Sequence, residues 1–413
     1  MKQLYLGGLA ALFFLAACGG VGATGRGKNV QPGQPSAGQA ALQAEAAVAI
    51  NTVPATQPAD RWKAEGVEAL FYDSVPWHGK PTRVFAWVGY PPNLKADEKV
   101  PAVVLVHGGG GTAFAKWVRI WTSHGYAAIA MDTCGQLPHG KPWDRDTQGG
   151  PPGWGGFDET NDLPSDQWTY HAAIDVILAN SLLRSMPHID TSHIGLVGIS
   201  WGGYLTCICA GLDDRYAFAV PVYGCGFLDQ DSAWVRNFQE LGPQKAAQWL
   251  AAWDPSHYLP GAHMPLLWVD GTNDVNYPFE ILQESYRLPP APRTLVTRVR
   301  MHHSHSAGWA PPEIYAFADS ICKGAAPLAH ITGQSLDGRT AAVRFTASVP
   351  LTQGQLNYTK DDGDWKKRKW VTTAADVADG QVSAPLPEGT TAYFFNLTDQ
   401  RGLLVSSECA TAP

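Results

Sequence analysis

A serine set between glycines is the first residue in this chain whose surroundings suit a nucleophile. Ser200 lies in the segment Gly198-Ile199-Ser200-Trp201-Gly202, which fits the pattern G-x-S-x-G. Residues 193–199 form an apolar run that predicts a short buried strand, and the residues after Ser200 are compatible with a helix. A serine on such a tight strand-to-helix turn exposes its hydroxyl at the edge of the sheet, and the glycines allow close backbone approach. The pattern therefore predicts an attacking hydroxyl at Ser200.

A serine nucleophile needs a base, and the base needs an acid that orients it. For a serine on this kind of turn, the partners follow in the chain order serine, acid, histidine. Residues 266–274 read as a strand that runs into a turn bearing two acids, Asp270 and Asp274. Asp270 ends the strand and is interpreted as structural. Asp274 lies out in the loop and is the predicted orienting acid.

The last strand of this region is predicted over residues 294–301, and three histidines follow it, at positions 302, 303 and 305. A base at the crest of the loop should lie a few residues beyond the strand, which favours His305 and leaves His303 as the alternative base. The same cluster suggests a metal site, but such a site would need a fourth ligand, and no Cys or His pair at ligand spacing supplies it. We therefore predict neither a metal nor a cofactor.

A run of four glycines, residues 108–111, follows the apolar strand that ends at His107. Because this loop is bare of side chains, its backbone N–H groups can point at a substrate carbonyl. The predicted oxyanion hole pairs the N–H of Trp201 with that of Gly109 or Gly110. A phosphate-binding loop is the alternative, but its lysine and its glycine spacing are both lacking. His107 itself is interpreted as structural.

Strands and helices alternate between residues 61 and 325, which predicts a mostly parallel sheet covered by helices on both faces. A long glycine-rich segment, residues 133–164, interrupts this alternation. Loops of this length inside a domain are usually functional. We expect it to form a wall of the substrate site, with Trp143 and Trp154 on the loop and Trp168 and Trp309 near its rim as candidate substrate-binding residues.

The N-terminus predicts export and lipid anchoring. Residues 1–17 combine a basic start with a short apolar stretch, as in a signal peptide. The segment Leu15-Ala16-Ala17-Cys18 matches the bacterial pattern in which the cysteine is lipidated. Residues 18–60 are poor in large apolar side chains and predict a flexible tether, with at most a transient helix over 40–50. We therefore expect a protein anchored to a membrane at Cys18, on the periplasmic face or the surface of a bacterial cell.

After residue 325 the sequence changes to short runs of alternating apolar and polar residues, separated by turn signals. This pattern predicts a small all-β sandwich over residues 326–413. Basic residues 366–369 lie between Trp365 and Trp370. They suit either binding of an acidic polymer or a solvated strand that balances nearby aspartates. A net charge of −7 argues against nucleic acid as a partner.

Seven cysteines are present, and six remain for pairing if Cys18 is lipidated. An oxidising compartment permits up to three disulfides. Cys322 and Cys409 flank the predicted β domain and form one candidate pair. Cys207 and Cys209 are interpreted as buried helix residues.

The string SWGGYLTCICAGLDDRYAFAVPVYGCGF, with HGGGG upstream and HSHSAGWAPPEIYAFAD downstream, resembles bacterial α/β-hydrolases of the acetyl xylan esterase and dienelactone hydrolase-like group. The resemblance covers roughly residues 65–325. It also implies a relationship to prolyl-oligopeptidase-type peptidases, which share the nucleophile region but usually carry a large β-propeller. Here only about 40 low-complexity residues precede the domain.

Together, the residues and the resemblance predict a serine esterase. Its expected substrates are acyl or methyl esters, with plant or algal polysaccharide as the expected carrier. Two alternatives stay open: a prolyl-oligopeptidase-like peptidase and a non-catalytic carbohydrate-binding lipoprotein.

Overall fold

Apolar runs rich in valine, isoleucine and alanine form the central strands of the computed structural model, which describes residues 34–138 and 144–412. The helices of these residues are α1 (Ala37–Ala49), α2 (Ala115–Ser123), α3 (Trp168–Ser185), α4 (Trp201–Ala210), α5 (Val235–Leu241), α6 (Pro243–Trp253), α7 (Phe279–Tyr286), α8 (His305–Gly308) and α9 (Pro312–Cys322). The strands of the N-terminal part are β1 (Thr56–Pro58), β2 (Glu68–Trp77), β3 (Lys80–Gly89), β4 (Val100–Val106), β5 (Ala127–Met131), β6 (Ile189–Ile199), β7 (Phe218–Val222), β8 (Leu266–Gly271) and β9 (Arg293–Arg298).

The main sheet places the ends of its parallel strands along one edge. Its strands are ordered β1-β2-β3-β5-β4-β6-β7-β8-β9, antiparallel up to β5 and parallel from β5 to β9. The loops after β4, β6, β8 and β9 carry the glycine run, Ser200, Asp274 and the histidines, respectively. Because the carboxyl ends of parallel strands share an edge, residues far apart in the chain converge there.

Both faces of this sheet are buried. Neighbouring residues of β4 point to opposite faces, as expected for a strand: Val104 packs in the core that includes α3 and α4, whereas Val103 packs in the core that includes α2 and α9. This arrangement explains why the strands read as continuous apolar runs. The predicted sheet with helices on both faces is confirmed.

The C-terminal part is rich in strands, as the sequence predicted. They are β10 (His330–Asp337), β11 (Thr340–Thr346), β12 (Leu351–Thr359), β13 (Val371–Ala378), β14 (Gln381–Pro385), β15 (Ala392–Asp399), β16 (Leu404–Ser406) and β17 (Ala410–Thr411). Strand β13 pairs with β12 through its first half and with β14 through its second half, so it joins two sheets at a corner. Strand β16 pairs with β9, which connects this region to the main sheet.

The basic segment 366–369 makes internal contacts in this structure. The guanidinium of Arg368 lies 3.6 Å from the centre of the Trp365 ring, and Trp370 is buried beside Phe279. Lys366 donates to the Asp231 carboxylate at 2.8 Å. These contacts favour a structural role for the segment over binding of an acidic polymer.

The predicted tether over 18–60 differs from the structure, because residues 37–49 form a docked helix. Ser36 caps α1 by accepting from the N–H of Gln39, whose side chain accepts in return from the N–H of Ser36. Leu42 is buried, and a Cβ on Gly38 would lie 2.6 Å from the Cβ of Ala252 on α6. Small side chains thus let α1 and α6 pack closely, and this close packing stabilises the docked helix although it has few large apolar side chains. The predicted signal peptide and Cys18 lie outside the described residues.

The six cysteines within the described residues are free thiols, so the suggested pairing of Cys322 with Cys409 is wrong. Cys322 interacts with Tyr126, whereas Cys409 packs in the aromatic cluster around Phe279. Cys207 and Cys209 are buried on α4, as predicted. Among the described helices, none has the length and apolarity to cross a bilayer.

Candidate active site

The turn between β6 and α4 is a nucleophile elbow, residues 198–202. Ser200 has φ 59° and ψ −120°, a strained conformation for a residue with a side chain. A Cβ on Gly198 would clash with the carbonyl oxygen of Gly202, and a Cβ on Gly202 would clash with the carbonyl oxygen of Val106. The two glycines are therefore required by backbone packing, and their packing holds the serine in its strained position.

Ser200, His303 and Asp274 form a continuous hydrogen-bonded relay. The Oγ atom of Ser200 lies 2.8 Å from Nε2 of His303, and Nδ1 of His303 lies 2.6 Å from Oδ2 of Asp274. The carboxylate accepts the Nδ1–H proton, so the lone pair of Nε2 faces the serine hydroxyl. The side chain of Asp274 is 1% exposed and that of His303 is 17% exposed. The carboxylate of the relay is therefore shielded from solvent, whereas its base remains accessible to a substrate.

The geometry contradicts the preference for His305 as the base and favours the alternative, His303. Strand β9 ends at Arg298, earlier than the sequence suggested, and Ser304 caps α8 by accepting from the N–H of Ala307. His305 is already the first residue of that helix, so the crest of the loop comes two residues earlier. Its Nε2 atom accepts from the N–H of Gly108 at 3.0 Å instead of facing Ser200.

Backbone and side-chain bonds fix the loop that carries Asp274. Its Oδ1 atom accepts from the N–H groups of Asn276 and Tyr277, each at 2.8 Å, so both carboxylate oxygens are engaged. Asp270 is fully buried and lies outside the relay, and burial, with the nearby charge of Asp274, raises its pKa well above the usual range. Asp270 thus has the structural character that the sequence indicated.

Asn273 connects the acid loop to the segment between β12 and β13. Its Nδ2 atom lies 2.9 Å from the carbonyl oxygen of Arg368, 3.2 Å from that of Lys366 and 3.4 Å from that of Trp365. Sequence reasoning missed this contact, because nothing near Asn273 in the chain indicates that residues 365–368 lie beside it.

Tyr223 is a second residue that sequence reasoning missed. It follows β7, and its ring centre lies 4.3 Å from that of His303. Its hydroxyl donates to the carbonyl oxygen of Ser304. This buried tyrosine therefore supports both the ring of the base and the loop that carries it. An aromatic residue at the carboxyl end of a neighbouring strand was the one available signal.

The glycine loop lies against the nucleophile. A Cβ on Gly108 would be 2.8 Å from the Cβ of Ser200, and a Cβ on Gly109 would be 2.9 Å from Cδ1 of Trp201. Among the described residues, the N–H groups of Gly109, Gly110 and Trp201 have no hydrogen-bond partner, so they are available to an oxyanion. Gly110 has φ 71°, which a residue with a side chain would adopt only with strain.

His107 braces this loop from below, in line with its structural interpretation. Its side chain is buried, its Nδ1–H donates to the carbonyl oxygen of Gly108 at 2.9 Å, and its Nε2 accepts from the N–H of Thr133 at 3.1 Å. Both ring nitrogens are thus used in joining the glycine loop to the end of β5.

The candidate substrate-binding tryptophans are in different environments. Trp154 is half-buried, and its Cδ2 atom would be 3.7 Å from a Cβ on Gly109, which places it at the glycine loop. Trp309 instead packs against Phe114 and Trp117, and Phe114 in turn contacts His305. Trp168 is fully buried and donates to the carbonyl oxygen of Thr133, so it does not reach the rim. Trp143 lies outside the described residues.

Contacts with α6 order the loop that carries Trp154. The indole N–H of Trp249 donates to the carbonyl oxygen of Gly155 at 2.7 Å, and the ring of Phe157 stacks on Trp249 with the ring centres 5.0 Å apart. Gly155 and Phe157 of the glycine-rich segment are thus held against α6.

The fold of this chain recurs in solved structures. The acetyl xylan esterase from Paenibacillus sp. R4 matches with a TM-score of 0.53 and 20% identity, covering 66% of this chain and 90% of that one. Acetyl xylan esterase 1 from Thermoanaerobacterium sp. JW/SL YS485 matches with a TM-score of 0.52 and 18% identity, covering 65% and 89%. The model of the acetyl xylan esterase (AXE1) family matches residues 52–236, which include the glycine loop and the elbow. The chain has the α/β-hydrolase fold.

Curated relatives of this α/β-hydrolase are peptidases. Dipeptidyl-peptidase 5 from Porphyromonas gingivalis is 26% identical over 208 residues, which are 46% of the hydrolase and 28% of the relative. A probable dipeptidyl-peptidase 5 from Aspergillus clavatus is 28% identical over 145 residues, 33% of the hydrolase and 17% of the relative. The hydrolase therefore spans less than a third of the length of either relative.

Proposed function

We propose that this hydrolase cleaves carboxylic esters, and that its substrates are acyl or methyl esters on plant or algal polysaccharide. The observation that carries the proposal is the relay from Asp274 through His303 to Ser200, set on a strained elbow beside free backbone N–H groups. The match to the acetyl xylan esterase family supports an ester over other carbonyl substrates.

In this mechanism the Oγ atom of Ser200 attacks the ester carbonyl while Nε2 of His303 takes its proton. The N–H groups of Trp201 and Gly109 bind the oxyanion of the tetrahedral intermediate. The protonated His303 then donates to the departing alcohol oxygen, which leaves an acyl group on Ser200. Water, deprotonated by the same histidine, releases the acid. Asp274 stays ionised throughout and stabilises the imidazolium.

The polysaccharide part of the proposal rests on Trp154. Its half-buried ring lies beside Gly109, where the carbonyl of a bound ester would sit. An aromatic face at this position suits stacking on a sugar ring that carries the ester.

A peptidase is the second candidate function, and the sequence relatives favour it. A Ser-His-Asp relay can cleave amides as well as esters, so esterase and peptidase activities must be compared on matched substrates. Purified protein should be assayed with p-nitrophenyl acetate, with acetylated xylan and with aminoacyl p-nitroanilides, using Ser200→Ala as the blank. We expect acetate release from the two esters at a kcat/KM well above that for any anilide. Faster anilide cleavage would replace the esterase proposal by the peptidase.

A non-catalytic carbohydrate-binding protein is tested by the same preparation. A fluorophosphonate probe should label the wild-type protein at Ser200 and leave Ser200→Ala unlabelled, because the probe needs an activated serine. An unlabelled wild-type protein would contradict the enzymatic proposal altogether.

We further propose a lipid anchor at Cys18, and with it a position on the bacterial cell envelope. The Leu-Ala-Ala-Cys segment supports it. Cys18→Ser should move the protein from the membrane fraction to the soluble fraction while kcat stays unchanged. Retention of the variant in membranes would contradict the anchor.

A further inference from the structure

We propose that His305 is a positioning residue that holds the oxyanion-binding loop, residues 108–111, through the lone pair of its Nε2 atom. The inference rests on the proposed function, since an oxyanion forms only if the protein is a serine hydrolase. It gives a role to a histidine that lies next to the relay but takes no part in it.

His305 fills the inner side of the glycine loop. Its Nε2 atom accepts from the N–H of Gly108 at 3.0 Å. A Cβ on Gly111 would lie 2.7 Å from the same nitrogen, so the glycine leaves room for the ring. The ring of Phe114 covers His305 from the side, with the ring centres 4.8 Å apart. The imidazole is therefore seated in the loop, and its position and that of the loop depend on each other.

Three hydrogen bonds then fix the two peptide groups that flank Gly108. His305 holds the N–H of Gly108, while Nδ1–H of His107 and the N–H of Gly111 both donate to its carbonyl oxygen. That carbonyl and the N–H of Gly109 belong to one planar, trans peptide group and point in opposite directions. His107 and Gly111, which hold the carbonyl, therefore aim the N–H of Gly109, the proposed oxyanion donor. The bond to His305 fixes the preceding peptide group, on the other side of the Cα atom of Gly108.

The role requires His305 to be unprotonated at Nε2, because a protonated ring has no lone pair to accept with. Burial, with a smaller contribution from His107, lowers its pKa to about 4. The imidazole is thus neutral at neutral pH, and the N–H of Gly108 selects the tautomer in which Nε2 carries the lone pair. His303 and His305, two residues apart, have different tasks: His303 faces the nucleophile and His305 faces the oxyanion loop.

A matched pair of substitutions separates this role from simple packing. In His305→Gln the amide oxygen reaches the place of Nε2 and can accept from Gly108. In His305→Asn the same amide is one methylene shorter and cannot reach. His302→Ala is the control, since His302 is an exposed residue of the same loop. Should His305→Asn fail to fold, His305→Leu replaces it, because leucine fills the volume and accepts no hydrogen bond.

The readouts are the rate of Ser200 labelling by a fluorophosphonate, kcat and KM for p-nitrophenyl acetate, affinity for a trifluoromethyl ketone, and the melting temperature. We expect His305→Asn to lower the labelling rate, kcat and the ketone affinity by about 10-fold to 100-fold, part of the loss seen when an oxyanion donor is removed. KM should change little, and His305→Gln should stay within about threefold of the wild type and of His302→Ala.

Two results would overturn the inference while leaving the hydrolase in place. One is a His305→Asn protein, or the leucine variant in its stead, that labels and turns over as fast as the wild type. The other is a glutamine variant as slow as the asparagine variant, which would show that the acceptor is irrelevant. Failure of the proposed function has a different signature: the wild-type protein itself would not react with the fluorophosphonate.

Discussion

The nucleophile elbow and the histidine loop, residues 299–305, reach the same edge of the sheet by different physical means. The elbow is determined mainly by its own residues, since Gly198 and Gly202 remove clashes with the backbone around them. The position of His303 depends on residues far away in the chain. Asp274, on the loop after β8, binds its ring, and Tyr223, after β7, supports the histidine loop through Ser304. A short motif can therefore predict a nucleophile, but the identity of the base is a tertiary property.

The acid loop belongs with the histidine loop in this respect. Asp274 is held by its own backbone, but Asn273 beside it binds carbonyl oxygens of residues 365–368. The relay thus has a locally determined end at Ser200 and, at Asp274, an end whose loop is bonded to the segment between β12 and β13. Four sets of substitutions probe this difference.

The largest effects should come from the relay itself. Ser200→Ala and His303→Ala should each lower kcat for p-nitrophenyl acetate by at least about 1,000-fold, because the two groups act as a unit. Their melting temperatures should stay near that of the wild type. Steady-state kinetics and thermal melts check both. A His303→Ala protein that keeps a tenth of the wild-type activity would show that His303 is not the base.

Asn273→Ala tests the dependence on the C-terminal strands. Loss of its bonds to residues 365–368 should let the acid loop shift and lower kcat roughly tenfold, since small misplacements of catalytic groups are costly. Asn273→Asp lacks the N–H donors and should behave alike. Val275→Ala, an exposed change on the same loop, serves as the control. Equal kcat values in all three proteins would show that the acid loop needs no outside support.

Trp154→Ala should have a selective effect on KM. Removing a ring beside the glycine loop should raise KM for acetylated xylan about fivefold to tenfold, the equivalent of roughly 1–1.5 kcal/mol of aromatic contact. KM for p-nitrophenyl acetate should hardly change, because that ester is too small to reach the wall. Equal changes for the two esters would instead show that Trp154 only stabilises its own loop.

The smallest effect concerns the pH dependence of stability at Glu280, which lies near Asp231 and Lys366. Burial, followed by the charge of Asp231, raises the pKa of Glu280 from 4.5 to about 7. A carboxyl whose pKa is raised on folding stabilises the protein below its unfolded pKa and loses this contribution as pH rises through its folded pKa. The melting temperature of the wild-type protein should therefore decrease as the pH rises from 5 to 8.

Glu280→Gln should reduce that dependence, which Glu159 shares because burial raises its pKa to about 7 as well, and should leave a melting temperature about 2 °C higher than that of the wild type at pH 8. The rate of Ser200 labelling should not change, because the elbow does not depend on this contact. An unchanged pH profile in the variant would assign the dependence to another group.

What the sequence could predict follows the same division. The alternation of apolar strands and helices predicted the sheet, and G-x-S-x-G located the elbow, because both depend on neighbouring residues. The crest of the histidine loop was misplaced by two residues, since the early end of β9 and the cap at Ser304 left no clear pattern. Helix α1 was taken for a tether because its docking relies on alanine and glycine packing closely against α6, which composition alone does not show.

The bonds from Asn273 to residues 365–368 link activity to the completeness of the polypeptide. A chain cut or terminated before residue 365 would keep every catalytic side chain, with Ser200 still on its elbow. The acid, however, would stand on a loop that had lost its outer support. Hydrolysis of a reactive ester at the full rate should therefore report that residues 365–368 are present and in place beside the acid loop, in addition to the triad itself.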